Sequence, residues 1–261
     1  MIDYDYIECG DCIELMRKLP DSCIDLTVTS PPYDNLRDYK GYSFDFENTA
    51  KELFRITKDG GVVVWIVNDA TIKGSETGTS FKQALFFKDI GFNLHDTMIW
   101  EKPTFTATGS LAVRYAPVFE YMFIFSKGKP KTFNPIKDKV NKRFGEEKHG
   151  TIRQKDGSTR PQSSLGKKIN QYGQRHNVWK ISTEQSNSNR FHPAQFPEAL
   201  AHDHIISWSN PGDVVFDPFL GSGTTAKVAV LTNRHYIGFE ISEEYVEIAN
   251  KRVEEVERVK L

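Results

Sequence analysis

Long hydrophobic runs are missing from this 261-residue chain. The longest clean one is Val62–Val67, far short of the ~20 apolar residues a membrane-spanning helix needs, so no membrane association is expected. Cysteine is scarce: Cys9, Cys12 and Cys23 crowd into one end and their number is odd. A disulfide framework is therefore not expected, and a reducing cytoplasm is the simpler setting. Cys9 and Cys12 have CxxC spacing, but no second ligand pair follows at zinc-site spacing, so no metal is expected. Basic charge is lacking at the start, where Met1-Ile2-Asp3-Tyr4-Asp5 is acidic with no apolar stretch behind it, so no secretory signal is expected. No internal repeat is present.

The net charge of −1 conceals an asymmetry. Between Lys127 and Lys180 stand fifteen Lys and Arg against four Asp and Glu, a local charge of +11, which leaves −12 on the rest of the chain. A basic block inside an acidic chain implies a polyanionic partner. The candidates for contact are Lys139, Lys142, Arg143, Arg153, Arg160, Lys167, Lys168 and Arg175. Most are expected to touch phosphates, with one or two arginines reading guanine edges.

Outside this block, strand and helix patterns alternate. Tyr6–Cys9, Ile24–Thr29, Val62–Val67, Thr97–Trp100, Phe119–Phe125, Val214–Phe216 and His235–Phe239 read as strands. Cys12–Leu19, Phe46–Thr57, Phe81–Ile90, Ala194–Trp208, Thr224–Leu231 and Glu243–Val259 read as helices, with Gly60-Gly61 ending the second. The alternation predicts an α/β domain with a mainly parallel sheet covered on both faces. The basic block is too long for a plain loop in such a domain and reads as an insertion. The expected organisation is 1–126, an inserted region 127–176, and 177–261 of the same domain.

Two segments carry chemistry. Val214–Thr225 reads as a strand, a turn and a helix start, with Gly221 and Gly223 allowing close backbone approach and Thr224 and Thr225 available as caps. A helix N-terminus there favours an anion such as a carboxylate. No Gly-Lys-Ser/Thr follows, which excludes a P-loop. Glu240, ending the next strand, can accept two hydrogen bonds from a ribose diol, so the pair points to an adenosine-containing cofactor. The second segment, Thr29-Ser30-Pro31-Pro32-Tyr33, falls where a strand reaches its carboxyl edge. Its prolines stiffen the turn, and the Ser30 hydroxyl and Pro31 carbonyl are two fixed acceptors suited to an aromatic amine. Tyr33 offers a face on which an extruded base can stack.

Together these segments resemble the amino-methylating DNA methyltransferases, in their β-ordered group, where the catalytic motif precedes an inserted target recognition region and the cofactor loop follows. TSPPY at Thr29–Tyr33 resembles the catalytic motif, and DPFLGSGTT at Asp217–Thr225 the cofactor loop. Ile7–Cys12 is similar to the segment whose Asp, here Asp11, reads the cofactor adenine. Asn177-Val178-Trp179 and His192–Pro197 also resemble family segments, the second lining the methionine end of the cofactor.

The resemblance implies a class I, Rossmann-like fold with a seven-stranded mixed sheet carrying one antiparallel edge strand. It implies S-adenosylmethionine held by Asp11, Cys12, Pro193, Asp217, Phe219, Gly221, Gly223, Thr224, Thr225 and Glu240. It further implies methyl transfer to a flipped base at Ser30, Pro31, Pro32 and Tyr33. No Pro-Cys pair occurs, which argues against C5-cytosine methylation. In this family Ser-Pro-Pro-Tyr usually accompanies N4-cytosine and Asp-Pro-Pro-Tyr N6-adenine, so N4-cytosine is favoured. N6-adenine and a catalytically inactive nucleic-acid-binding fold remain alternatives. The expected setting is double-stranded DNA in a prokaryotic or phage-infected cytoplasm. The chain would be a monomer or homodimer, with a companion restriction endonuclease left open.

Overall fold

The computed structural model describes residues 3–32, 44–103, 113–183 and 196–260, the side chains of 259 and 260 excepted. Its strands are β1 (Tyr6–Cys9), β2 (Ile24–Thr29), β3 (Thr57–Val67), β4 (Thr71–Ile72), β5 (Ser75–Glu76), β6 (Asn93–Glu101) and β7 (Phe119–Ser126), then β8 (Lys139–Val140), β9 (Thr151–Arg153), β10 (Thr159–Pro161), β11 (Tyr172–Gly173), β12 (Val178–Lys180), β13 (Val214–Asp217) and β14 (His235–Glu240). Its helices are α1 (Cys12–Lys18), α2 (Phe46–Ile56), α3 (Thr79–Asp89), α4 (Glu198–Trp208), α5 (Thr224–Leu231) and α6 (Glu243–Lys260). Residues 1–134 with 177–261 form one compact unit, and Pro135–His176 form another.

The larger unit is built on an eight-stranded sheet in the order β1-β14-β13-β2-β3-β7-β6-β12. β7 alone runs antiparallel to its neighbours and lies inside the sheet. The sheet therefore departs from the expected seven strands with an antiparallel edge. The added edge is β12, within the Asn177-Val178-Trp179 segment, which pairs parallel to β6 with Trp179 opposite Trp100. The central strands read as continuous apolar runs because both faces are covered. Helices α1, α2 and α3 pack in sequence, as do α4, α5 and α6. Val63, Trp65 and Val67 of β3 join a core with Leu15, Met16, Leu53 and Phe87, while Met122 of β7 meets α4. Strand alternation accounts for the two faces.

Local chemistry explains the helix starts. Asp11 Oδ1 accepts the backbone N–H groups of Ile13 and Glu14, and Asp45 that of Asn48, each capping a helix. α3 begins after Gly78 in a left-handed conformation with no capping side chain at that position. Its first turn is held instead by Asp69, which accepts from the Ser80 N–H and hydroxyl and from the Thr77 hydroxyl. Gly60 and Gly61 lie inside β3, not in a break after α2. Gly60 has φ +80°, and a Cβ there would sit 2.8 Å from Lys131 Cβ. The pair marks a bend where the pairing of β2 with β3 shifts register between Ile24 and Leu26.

Among the described residues, no helix is long and apolar enough to cross a membrane. His204 on α4 is fully buried, its ring tilted against Trp179 at 4.5 Å between centroids, with Nε2 3.1 Å from Met122 Sδ and Nδ1 unpartnered among the described residues. Burial pushes its pKa down to about 3, so it folds as the neutral imidazole. The unfolded chain takes up a proton near pH 6.5 and the folded chain does not, so stability is lost as pH falls from about 6.5 toward 3. At pH 5 the loss from this residue is about 2 kcal/mol relative to pH 7.5. His204→Leu is expected to remove it, as urea unfolding at the two pH values will show; an equal acid loss in the variant would refute the assignment.

Candidate active site

The carboxyl edge of the sheet collects the residues singled out by sequence. β1, β2, β3, β13 and β14 run parallel, so Cys9, Thr29, Val67, Asp217 and Glu240 end on the same edge. From β13 the chain passes to β14 on one side, and from β2 to β3 on the other. The crevice between β13 and β2 is thus the topological switch point, where open α/β sheets bind ligands. The Asp217–Thr225 turn leaves the sheet on one side of it and the Ser30-Pro31-Pro32 turn on the other.

Asp217 joins the two. Its side chain is 1% exposed, and it accepts from Thr29 Oγ1 (2.6 Å), Thr225 Oγ1 (2.7 Å) and the Phe219 N–H (3.0 Å). Burial raises its carboxyl pKa to about 6, against the lowering effect of these donors. Thr225 also reaches the Val28 carbonyl at 3.3 Å. Asp217 and Thr225 are therefore bound into the protein beneath the turn. Neither threonine caps α5: its N-cap is Gly223, and no capping side chain serves it. The hydroxyls are turned away, that of Thr224 lying 3.4 Å from Arg252 Nη1.

The glycines have more than one reason. Gly221 has φ +55° and Gly223 φ +87°, both left-handed. A Cβ on Gly223 would also lie 2.7 Å from Ala249 Cβ, so this glycine lets α6 close on the turn. A Cβ on Gly238 would meet Leu220 at 2.5 Å, so Gly238 lets the turn lie on β14. Glu240, 9% exposed, accepts from the Gly221 N–H at Oε2 (2.8 Å) and the Ser242 N–H at Oε1 (3.0 Å). Burial raises its pKa while those two donors lower it.

Ser30 and Pro32 are half-buried and Pro31 is buried. Phe219 is half-buried, with its ring edge-to-face on Phe44 at 5.4 Å. Asp11 uses Oδ1 on α1, and none of the described hydrogen bonds uses Oδ2. Cys12 lies 4.0 Å from Thr49 Oγ1, its thiol pushed up to about 12 by burial and by Asp11. Tyr33, Pro193 and the rest of 192–195 lie outside the described residues.

Sequence reasoning missed a brace behind the turn. Arg252 Nη1 donates to the Ser222 carbonyl (2.6 Å) and hydroxyl (3.0 Å), and Nη2 to Glu198 Oε1 (2.7 Å). Lys227 reaches the same oxygen at 2.6 Å. Burial works to raise the Glu198 pKa, but Lys227 and Arg252 outweigh it and hold the carboxyl below its ordinary range. Arg252 sits on a helix whose pattern reads as a surface helix, so only its low exposure reveals it.

In the smaller unit the eight basic candidates divide. Arg143 pairs with Glu146 at 2.7 Å, and Arg175 Nε with Asp138 at 2.9 Å. Lys139 lies 2.9 Å from His176 Nε2. Lys142, Arg153, Arg160, Lys167 and Lys168 make no ion pair among the described residues.

A turn of left-handed glycines, a helix start with no capping side chain and a carboxylate at the next strand end fit an adenosyl sulfonium carrying a carboxylate. With the Ser-Pro-Pro turn across the crevice, they define a class I methyltransferase. The DNA methylase family model for N6 and N4 methylases matches residues 24–251, and the chain belongs to that family. Its cofactor is S-adenosylmethionine. It is 56% identical to the orphan methyltransferase M.BamHII of Bacillus amyloliquefaciens, over 92% of each chain. It is 27% identical to the type II methyltransferase M.SmaI of Serratia marcescens, over 94% of this chain and 89% of that one. The fold matches the solved PvuII DNA methyltransferase (cytosine-N4-specific) with a TM-score of 0.70, at 23% identity, over 98% of this chain and 91% of that one.

Asp217→Ala leaves the Thr29 hydroxyl and the Phe219 N–H without this acceptor and Thr225 with only the Val28 carbonyl, and is expected to cost about 1–3 kcal/mol in urea unfolding, together with most methyl transfer. Asp217→Asn keeps an acceptor for Thr29 and Phe219 and can donate to Thr225 Oγ1, whose own proton turns to the Val28 carbonyl. It is expected to retain both. Because the folded Asp217 pKa lies above the unfolded value, the stability of the native protein relative to Asp217→Asn falls as pH rises from about 4 through about 6. An Ala variant as stable and active as the native protein would refute the role.

Proposed function

We propose that the chain methylates the exocyclic N4 of cytosine in double-stranded DNA at specific sites. The observation that carries this reading is the bond from Thr29 to Asp217 across the switch point. It fixes the residue before Ser30 to the residue that opens the glycine turn, so amine acceptor and cofactor loop share one crevice.

Bound there, the sulfonium supplies an electrophilic methyl group. In the proposed arrangement the Gly221–Gly223 backbone and the start of α5 hold its carboxylate end. Glu240 takes the ribose diol with the lone pairs its backbone donors leave, and Asp11 Oδ2 takes the adenine amine. Phe219 would close on it, and Pro193 is assigned to its methionine end on the family resemblance alone. Asp217, Thr224 and Thr225, together with Arg252, act as positioning residues beneath the turn. Ser30 Oγ and the Pro31 carbonyl accept the two amino N–H bonds of the target, which favours a pyramidal nitrogen with an available lone pair. Pro32 holds the turn rigid, and Tyr33 stacks on the extruded base. Holding the target amine in place at Ser30 and Pro31 would supply most of the acceleration.

Serine at position 30 favours cytosine over adenine on the family pattern, and the PvuII enzyme of the same fold is described as cytosine-N4-specific. The 56%-identical relative is described as an orphan, which supports action without a companion endonuclease. The unit at 135–176, with its unpaired cations, is the proposed DNA-contacting region, and cytoplasmic action follows from the substrate.

The test is to incubate the protein with S-adenosylmethionine and unmethylated genomic DNA, then measure methylated nucleosides by mass spectrometry. N4-methylcytosine is expected, and Ser30→Ala is expected to abolish it while leaving most cofactor binding. N6-methyladenine instead would overturn the base assignment, and near-normal turnover in the variant would overturn the role of Ser30.

A further inference from the structure

We propose that the β9–β10 hairpin enters the DNA major groove and reads base edges with one of its faces, that of Ile152, Gln154 and Arg160. The inference rests on the reading of the chain as a DNA methyltransferase, and it names the element of the basic unit that supplies sequence specificity.

The hairpin is a two-stranded antiparallel ribbon pairing Thr151–Arg153 with Thr159–Pro161, and every strand residue in it is exposed. Its end is tightly specified. The Gly157 N–H bonds the Gln154 carbonyl at 3.0 Å, the Gln154 N–H bonds the Ser158 carbonyl at 2.7 Å, and Gly157 takes φ +85°. This is the three-residue loop closed by a left-handed glycine that hairpins favour. Asp156, the one acid of the hairpin, is turned onto it, accepting from the Ser158 N–H (2.9 Å) and hydroxyl (2.7 Å). A B-DNA major groove about 12 Å wide admits a two-stranded ribbon.

Register assigns the faces. Residues directly opposite in an antiparallel pair share a face, and neighbours along a strand alternate. Arg160 stands opposite Ile152, and Gln154 opposite Ser158, on one face. Arg153 stands opposite Thr159, and Thr151 opposite Pro161, on the other. The first face therefore combines an arginine, which fits guanine O6 and N7, with a glutamine, which fits adenine N6 and N7. It also carries an exposed isoleucine suited to a thymine methyl. The second face offers one arginine among small or polar groups, the equipment of a phosphate contact. Neither arginine is held by an acidic side chain among the described residues, whereas Arg143 and Arg175 are. Those two hold the unit's own shape.

The experiment maps the methylated positions that the full chain leaves on unmethylated genomic DNA, and repeats the mapping with Arg160→Ala, Gln154→Ala and Arg153→Ala. All three side chains are exposed, and thermal midpoints equal to the native protein's will show that the variants fold. Arg160→Ala and Gln154→Ala are each expected to lower methylation of the native site roughly 10- to 100-fold and to relax discrimination at one position of it. Arg153→Ala is expected to weaken binding evenly across sequences and to lower the slope of log affinity against log salt by about 1. Full discrimination in Arg160→Ala and Gln154→Ala would overturn the proposal, as would relaxed discrimination in Arg153→Ala alone. Absence of any methylated DNA from the native protein would instead bring down the methyltransferase reading, and the hairpin assignment with it.

Discussion

A carboxylate buried between two diverging parallel strands is the constraint on which the site depends. Asp217 ends β13 at the point where successive connections part to opposite sides, and nothing in the sheet's own pairing carries the crevice further. The β13–β2 ladder pairs Val215 with Leu26 and Phe216 with Thr27, and stops there. Beyond it, the side-chain bond from Thr29 to Asp217 takes over what the backbone no longer does. An isolated buried carboxylate would cost several kcal/mol, and three donors converging on two oxygens offset that cost. The desolvation they do not offset shows in the raised pKa. A neutral side chain of equal shape would meet less desolvation, so the carboxylate's advantage is acceptor capacity: it receives Thr29, Thr225 and Phe219 at once.

From this hub the rest follows in layers. Thr225 carries the constraint into α5, and Phe219 carries it into the glycine turn. The turn is then pressed from two sides: Gly238 admits Leu220 onto β14, and Gly223 admits Ala249 of α6. Arg252 closes the far side by bonding the Ser222 carbonyl, and Glu198 ties it to Lys227 and to the start of α4. The start of α5 lies within this frame with no capping side chain, and Glu240 stands beyond it. Rigid walls around a helix N-terminus suit an anionic ligand.

Much of this was legible in the sequence because it is local. The fully covered strands β2, β13 and β14 read as apolar runs, and the Ser-Pro-Pro and glycine-rich turns announce themselves by backbone chemistry. What was not legible is pairing at long range. Thr29 and Asp217 are 188 residues apart, so no pattern in either segment reveals that one holds the other. The threonines looked like caps because caps are where threonines at a helix start usually serve; here a buried acid competes for one hydroxyl more strongly. The glycines of β3 resemble a helix stop because glycine commonly ends helices; the close passage of Lys131 is what requires one here. β12 was missed because three residues carry too little periodicity to stand apart from a basic insertion.

The same division between local and distant information applies to the basic unit. Composition marks it as a polyanion partner but treats its cations alike. The structure separates cations bound to acids of the unit from those without such partners. Several large apolar side chains of this unit, including Val140, Phe144, Leu165 and Tyr172, are exposed, so burial contributes little to its shape. Its order comes from short strand pairings, a bridge between Glu147 and Lys168, and ion pairs such as that of Arg175 with Asp138. Exposed ion pairs hold weakly and are screened by salt. A unit built this way owes its order to local pairings and screened ion pairs, whereas the arrangement across the sheet edge is fixed by a buried acid that salt does not reach.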